Sequence, residues 1–206
     1  MKKSDGVLNE LWSVPIYQNI VNSDESWIRL AKKQEYSRLA SDDGDMTHKQ
    51  ILEEPDFSHI KSKLLREMDN YIYGHLSVKR DVKFEIVRSW IVKHDKNDHA
   101  ALHHHANSIF SAVYYFDYEE GMGEIIFDKE HSAIHNITYS NIRFDHNEYN
   151  NLTSREYGFI PEANMIICFP SNIGHKVTPN RIDKKRYCLA FDVFPVGYIS
   201  EFGEEV

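Results

Sequence analysis

A chain of 206 residues with 41% hydrophobic and 13% aromatic residues can bury a core without staples, and this composition excludes intrinsic disorder. It has 24 Lys and Arg residues against 32 Asp and Glu residues, which gives a formal net charge of −8. Because nucleic-acid binding depends on basic side chains that neutralise phosphates, an acidic chain is not expected to have a nucleic-acid partner.

The cysteines and the amino-terminal residues predict the compartment. Cys168 and Cys188 both lie in apolar runs, which favours small core residues over a disulfide and fits a reducing compartment. Residues 1–12 contain two lysines with no apolar stretch behind them, so they do not resemble a signal peptide. No apolar run approaches the ~20 residues of a membrane span. We therefore expect a cytoplasmic protein with no membrane partner.

The first 80 residues predict one short strand and two helices. The strand is expected within 11–21, and Ser23 is a typical cap for a helix over about 24–39. A polar loop is expected at 41–45, and a second helix over about 55–76. An apolar stripe at helical spacing predicts that this second helix packs on the core: Ile60, Leu64, Met68 and Tyr71.

From Asp81 onward the hydrophobic period becomes two, which is typical of strands. Runs rich in β-branched and aromatic residues are separated by clusters of Gly, Pro, Asn and Asp. Further strands are expected at 109–116, 124–127, 137–144, 164–169 and 186–194. Short strands at this spacing predict a sandwich or a barrel rather than alternating β and α units.

A histidine run in this β-rich half indicates a metal site. His103 and His105 are two residues apart, so in an extended chain they point to the same side, whereas His104 points away. A third ligand is expected at His175, which follows the apolar strand predicted at 164–169 and a turn. Imidazole binds iron, zinc and copper, so the residues alone indicate a transition-metal ion and leave its identity open among these three.

Other candidate ligands fit this hypothesis less well. An H-x-H pair alone is more often two ordinary histidines than a metal site. His131 and His135 have the four-residue spacing of a helical zinc pair, but the sequence around them is typical of loop and strand. Asp117 and Asp128 stay open as alternative ligands, although neither has the expected spacing.

The order of several motifs resembles the iron(II)- and 2-oxoglutarate-dependent oxygenases, and in particular a hydroxylase branch found in bacteria and marine phages. The similarity is good over about 89–127 and 165–194, and poor over the first helices and over 128–160. The opening at 11–17 also resembles that branch. The matching stretches are 89–91, 103–108, 111–116, 121–127, 169–171, 175–180 and 186–191.

The resemblance implies roles for individual residues. His103 and His175 match the two metal histidines of the family, and His105 stands where most members have Asp or Glu. Arg186 lies 186 − 175 = 11 residues after His175, where the family has the arginine that binds the far carboxylate of 2-oxoglutarate. The fork of a guanidinium suits a carboxylate. The alternative is that Arg186 belongs to a solvated basic turn at 181–186.

Two further residues are implied at the cosubstrate. Tyr115 and Ser111 match positions that often hydrogen-bond the same carboxylate in relatives, and their spacing of four lets both face one side of a strand. Cys188 stands where relatives often carry Ser or Thr. Whether Cys188 completes the 2-oxoglutarate site stays open.

The resemblance implies a mainly β (α+β) fold, a cupin-like double-stranded β-helix or jelly roll with the amino-terminal helices packed on one sheet. One domain is expected over 1–206. Within it, 1–80 is an elaboration, 81–200 is the jelly-roll catalytic core, and 128–160 is an insert.

The implied function is a non-haem dioxygenase that uses Fe(II), 2-oxoglutarate and O2, and that hydroxylates a small-molecule or peptidyl substrate with release of succinate and CO2. Three neutral histidines could also favour zinc or nickel. The alternatives are a three-histidine cupin-type dioxygenase without 2-oxoglutarate and a non-catalytic metal-binding jelly-roll module. The identity of the substrate stays open, as does the oligomeric state, with a homodimer as one option.

Overall fold

The computed structural model describes residues 13–39, 43–129, 147–151 and 153–200. Within these ranges the chain forms two antiparallel sheets that face each other, and two α-helices that cover the larger sheet from outside. No helix among the described residues is long and apolar enough to cross a membrane. The strand expected at 137–144 and the pair His131 and His135 fall outside the described residues.

The larger sheet has seven strands. In spatial order they are β1 (Tyr17–Ile20), β9 (Met165–Pro170), β6 (Phe110–Tyr115), β11 (Arg186–Val196), β4 (Lys83–His94), β3 (Asp45–Met46) and β2 (Ser37–Arg38). The smaller sheet has four strands, which are β5 (Ala100–His103), β10 (Gly174–Val177), β7 (Ile125–Asp128) and β8 (Glu156–Phe159).

Successive side chains on the central strands of the larger sheet point to opposite faces, and they form two separate apolar clusters. On β6, Tyr114 packs toward the helices, whereas Val113 and Tyr115 pack toward the smaller sheet. On β11, Leu189 and Phe191 likewise face the helices. The helices therefore cover one face of the sheet, and the other face is free to form a cavity with the smaller sheet.

The first helix, α1 (Glu25–Lys32), is shorter than the expected 24–39. Its N-cap is Asp24, whose Oδ1 accepts a hydrogen bond from the Ser26 N–H at 2.7 Å, whereas the Ser23 hydroxyl donates to Asn164 Oδ1. The helix ends early because Ser37–Arg38 pairs with Asp45–Met46 as a hairpin at the sheet edge.

The second helical segment closely follows the expected 55–76. It begins with a 3₁₀ turn at Pro55–Phe57, continues as α2 (Ser58–Asp69) and ends in a π-helical turn at Asn70–His75. The apolar stripe of this segment is buried against the larger sheet, as its spacing predicts. This confirms that its periodicity reports core packing.

Candidate metal centre and cosubstrate pocket

Three histidines meet between the two sheets. His103 ends β5 and lies directly opposite His175 on β10, so the pairing of these strands brings the two rings together. The centroids of these rings are 4.3 Å apart. His105 lies two residues past the end of β5, where its backbone N–H donates to the Ser171 carbonyl oxygen at 2.9 Å. One ligand nitrogen from each ring lies within 4.8 Å of the other two.

Each ring is oriented through its Nδ1 atom. His103 Nδ1 lies 2.7 Å from the Ala101 carbonyl oxygen, and His175 Nδ1 lies 3.0 Å from the Ile173 carbonyl oxygen. His105 Nδ1 lies 2.6 Å from a carboxylate oxygen of Asp192. These acceptors place the ring proton on Nδ1, which leaves the lone pair of Nε2 for an ion.

Burial keeps the deepest of these rings neutral. His175 is 4% exposed, and burial together with the neighbouring His103 and His105 lowers its pKa to about 3. A neutral imidazole is the form that binds a metal. The three rings therefore offer a set of nitrogen donors at one shared point, which fits a divalent transition-metal ion.

A buried carboxylate lies behind the His105 ring. Asp192 is fully buried, and besides His105 it accepts hydrogen bonds from the Ser111 hydroxyl at 2.6 Å and from Arg88 Nε. Burial by itself would raise the pKa of Asp192, but the hydrogen bonds from His105, Ser111 and Arg88 bring this pKa below its usual range. Asp192 is thus ionised at neutral pH.

The Ser111 side chain does not reach the cavity. Its hydroxyl donates to Asp192, lies 3.0 Å from His105 Nδ1, and lies 2.8 Å from the Ser171 hydroxyl. Ser111 and Tyr115 do share one face of β6, as their spacing predicts, but Ser111 pairs across the strands with Asp192. The structure therefore brings Ser111 to His105, and Ser111 is not among the described residues that line the cavity.

Arg186 is a buried cation at the start of β11. It is 1% exposed, whereas Arg181, Lys184 and Lys185 of the same basic cluster are exposed. Its Nη1 donates to the Met122 carbonyl oxygen at 2.9 Å and its Nη2 donates to His94 Nδ1. Its Nε is buried without a hydrogen-bond partner, and Arg186 forms no ion pair with any described residue.

His94 holds Arg186 in place and is a site residue that the sequence analysis missed. It is 1% exposed, and burial together with the charge of Arg186 lowers its pKa to about 3. Its Nε2 lies 3.2 Å from the Asp43 carbonyl oxygen, so Nε2 carries the proton and Nδ1 accepts from Arg186. Gly44, at φ +86°, passes so close that a Cβ would lie 2.3 Å from the His94 ring.

A cavity of about 260 Å³ connects these groups. Arg186 and the three histidines line it together with Tyr115, Cys188 and Trp90, and the remaining walls are mainly aliphatic. Burial raises the pKa of the Tyr115 hydroxyl, which therefore stays protonated.

The cavity residues fit the cosubstrate that the resemblance implies. A buried guanidinium without an anionic partner is costly, and a carboxylate is the group that compensates it. The unpaired Nε of Arg186 and the converging histidine nitrogens therefore fit a small molecule with one carboxylate at each end. Among the described residues, Arg186 supplies the one buried positive charge on the cavity wall.

Comparisons with solved structures agree with this architecture. The chain is similar to a 2OG-Fe(II) oxygenase family oxidoreductase from Burkholderia pseudomallei, with a TM-score of 0.56 and 15% identity over 82% of this chain and 76% of that chain. It is also similar to HygX from Streptomyces hygroscopicus with nickel and 2-oxoglutarate bound, with a TM-score of 0.60 and 8% identity over 93% and 85%.

A third similar structure is a prolyl-4-hydroxylase from Pseudomonas putida, with a TM-score of 0.53 and 11% identity over 88% of this chain and 92% of that chain. No curated protein matches the chain. The structural likenesses confirm the expected double-stranded β-helix fold, with the helices on one sheet.

A family model described as "Putative 2OG-Fe(II) oxygenase" matches residues 88–192. The matched range begins at Arg88 in β4 and ends at Asp192 in β11, and it contains all three histidines and Arg186. The chain therefore belongs to the 2OG-Fe(II) oxygenase family, as an oxygenase that uses iron(II), 2-oxoglutarate and O2.

Proposed function

We propose that this oxygenase is a hydroxylase whose iron(II) is held by His103, His105 and His175. The proposal is supported by the convergence of one nitrogen from each ring within 4.8 Å of the others. Three protein ligands would leave positions on the ion for cosubstrate and O2. When bound, iron and 2-oxoglutarate supply the oxidising power for C–H hydroxylation, with release of succinate and CO2.

Arg186 is the proposed anchor for the far carboxylate of 2-oxoglutarate. The observation that carries this assignment is a guanidinium that is 1% exposed and has an unpaired Nε on the cavity wall. His94 and the Met122 carbonyl fix the two terminal nitrogens, so the guanidinium is oriented before the cosubstrate arrives. A preoriented arginine loses little entropy on binding.

Tyr115 is proposed to contact the same carboxylate, because it lines the cavity and keeps its hydroxyl proton. Ser111 is left out of this contact, since its hydroxyl is already bonded to Asp192. Cys188 also lines the cavity and is buried among apolar groups, so it is assigned to the cavity wall. The apolar walls exclude water and strengthen the charge pairing at Arg186.

The substrate is proposed to be a small molecule or a peptidyl residue. We expect the loops and added segments around the cavity to determine which substrate binds, as is general for enzymes on a shared fold. We also propose one domain, with residues 81–200 as the catalytic core and the first 80 residues as an elaboration.

Binding of 2-oxoglutarate to nickel(II)-loaded protein, measured by isothermal titration calorimetry, tests the assignment without turnover. Arg186→Ala is expected to weaken 2-oxoglutarate by at least about 2 kcal/mol, because a buried charge pair loses one partner. Arg181→Ala removes an equal charge from the exposed part of the same cluster and should leave the affinity unchanged. Equal affinities for both variants and the parent protein would contradict the role of Arg186.

A further inference from the structure

The three proposed iron ligands share one electrostatic feature, which is that all are neutral. A divalent ion at this point therefore has no negatively charged protein ligand among the three. Iron sites built from two histidines and one carboxylate do have such a charge in direct contact with the metal. A buried carboxylate, that of Asp192, lies against one ring of the triad.

The placement of this carboxylate is specific. Asp192 is 0% exposed, and its Oδ1 lies 2.6 Å from Nδ1 of His105, the nitrogen opposite the ligand atom of that ring. The Ser111 hydroxyl donates to the same oxygen at 2.6 Å and fixes its direction. His103 and His175, by contrast, donate to neutral backbone carbonyls. Of the three rings, His105 is thus the one that contacts the negative charge of Asp192.

We propose that Asp192 is a positioning residue of the metal site, which supplies through the His105 ring the negative charge that the three ligands lack. This inference rests on the proposed function of the triad. A carboxylate acceptor fixes the orientation of a ligand imidazole and makes its other nitrogen a stronger donor. In this way His105 gains part of the character of an anionic ligand while staying an imidazole.

Arg88 forms an ion pair with the second carboxylate oxygen of Asp192. Its Nε donates to Asp192 Oδ2, and its side chain is 27% exposed, packs over the Trp90 ring and donates to the Ala106 carbonyl oxygen at 2.7 Å. Because water screens a partly exposed guanidinium, its charge reaches the metal position less than the buried carboxylate does. Arg88 and Asp192 therefore form a matched pair whose two charges can be removed one at a time.

Cobalt(II) titration of metal-free protein, followed by visible absorption, tests the inference. Asp192→Asn keeps the size of the side chain and an acceptor for His105, but removes the charge. It is expected to weaken cobalt(II) binding by about ten- to a hundredfold. Arg88→Gln breaks the same ion pair from the opposite side, and cobalt(II) should then bind as tightly as in the parent protein or more tightly. Equal weakening in both variants would show a merely structural ion pair and overturn the inference.

The same change made in a His105→Asp variant tests whether the charge of Asp192 acts on the metal through the His105 ring. In His105→Asp the ligand itself carries the charge and stands next to Asp192. Adding Asp192→Asn is then expected to leave cobalt(II) binding unchanged or to strengthen it, because two adjacent carboxylates repel. If Asp192→Asn weakened cobalt(II) binding in His105→Asp as much as it does in the parent protein, the inference would be overturned. If the parent protein bound no cobalt(II), the proposed metal site itself would fail, whereas unchanged binding in Asp192→Asn would refute only the role of Asp192.

Discussion

The proton positions on buried histidines decide what the site can bind. His94 can accept a hydrogen bond from Arg186 only while its ring is neutral, and burial beside that guanidinium holds its pKa at about 3. Asp98 and His99 also act on this ring, with opposite signs. The neutral ring leaves the charge of Arg186 uncompensated for an incoming carboxylate.

The pKa of His94 predicts a loss of stability in mild acid. The unfolded chain takes up a proton on this side chain below its usual pKa of 6.5, whereas the folded chain does so only near 3, so acidification from 6.5 toward 3 favours unfolding. Between pH 7 and 5 the cost is about 2 kcal/mol. His94→Gln removes this titration. Urea unfolding of metal-free protein should therefore show a smaller loss in His94→Gln, and equal losses would contradict the assignment.

At the scale of secondary structure, length decided what could be predicted. The longer strands β4, β6 and β11 stand out as runs rich in β-branched and aromatic residues, and the start of β4 also shows the two-residue period. The four-residue strands β5 and β10 contain no such run. The candidate histidine ligands are predicted all the same, because their spacing and the order of the motifs identify them without the strand bounds.

Strand register explains the site residues that the sequence did not reveal. His94 meets Arg186, and Asp192 meets Ser111, because these residues are paired across neighbouring strands. Each pair is separated by more than 80 positions in the chain, and no local pattern reports such pairing. The contact of Ser111 with the cosubstrate is implied by the resemblance to the family, which does not report that Ser111 pairs with Asp192.

The turn before β7 is predicted to be intolerant of a side chain. Gly123 has φ +93°, and a Cβ there would lie 2.2 Å from the Thr178 carbonyl oxygen and 3.0 Å from Arg186 Nη1. Gly123→Ala should lower the free energy of unfolding by about 1–3 kcal/mol and also weaken 2-oxoglutarate binding. Gly74→Ala, where a Cβ meets nothing within 4 Å, is the control and should be neutral or slightly stabilising. If Gly123→Ala and Gly74→Ala changed stability and 2-oxoglutarate binding equally, the predicted steric conflict at Gly123 would be wrong.

Across the whole molecule, one apolar cluster lies away from the cavity and the other packs against the candidate metal site. Leu64 is fully buried between α2 and the larger sheet, on the side away from the cavity. Phe169 lies in the other cluster, with its ring centroid 4.8 Å from that of His175.

Truncations in the two clusters should therefore differ in their effect on the metal. Leu64→Ala is expected to cost about 2–5 kcal/mol of stability and to leave cobalt(II) affinity unchanged. Phe169→Leu removes the ring that packs on His175, so it should lower both stability and metal affinity. Thermal unfolding and cobalt(II) titration on the same samples check this division, which a drop in metal affinity for Leu64→Ala would refute.

In the proposed site, iron(II) on the three histidines and the charge of Arg186 together bind one molecule of 2-oxoglutarate. Anaerobic addition of iron(II) and 2-oxoglutarate tests it most directly, because chelation of the metal by the 2-oxo acid gives a weak visible charge-transfer band. We expect a band that saturates at about one iron per chain, that is absent in His175→Ala, and that needs much more 2-oxoglutarate in Arg186→Ala. No band in the parent protein at saturating concentrations, or an undiminished band in His175→Ala, would contradict it.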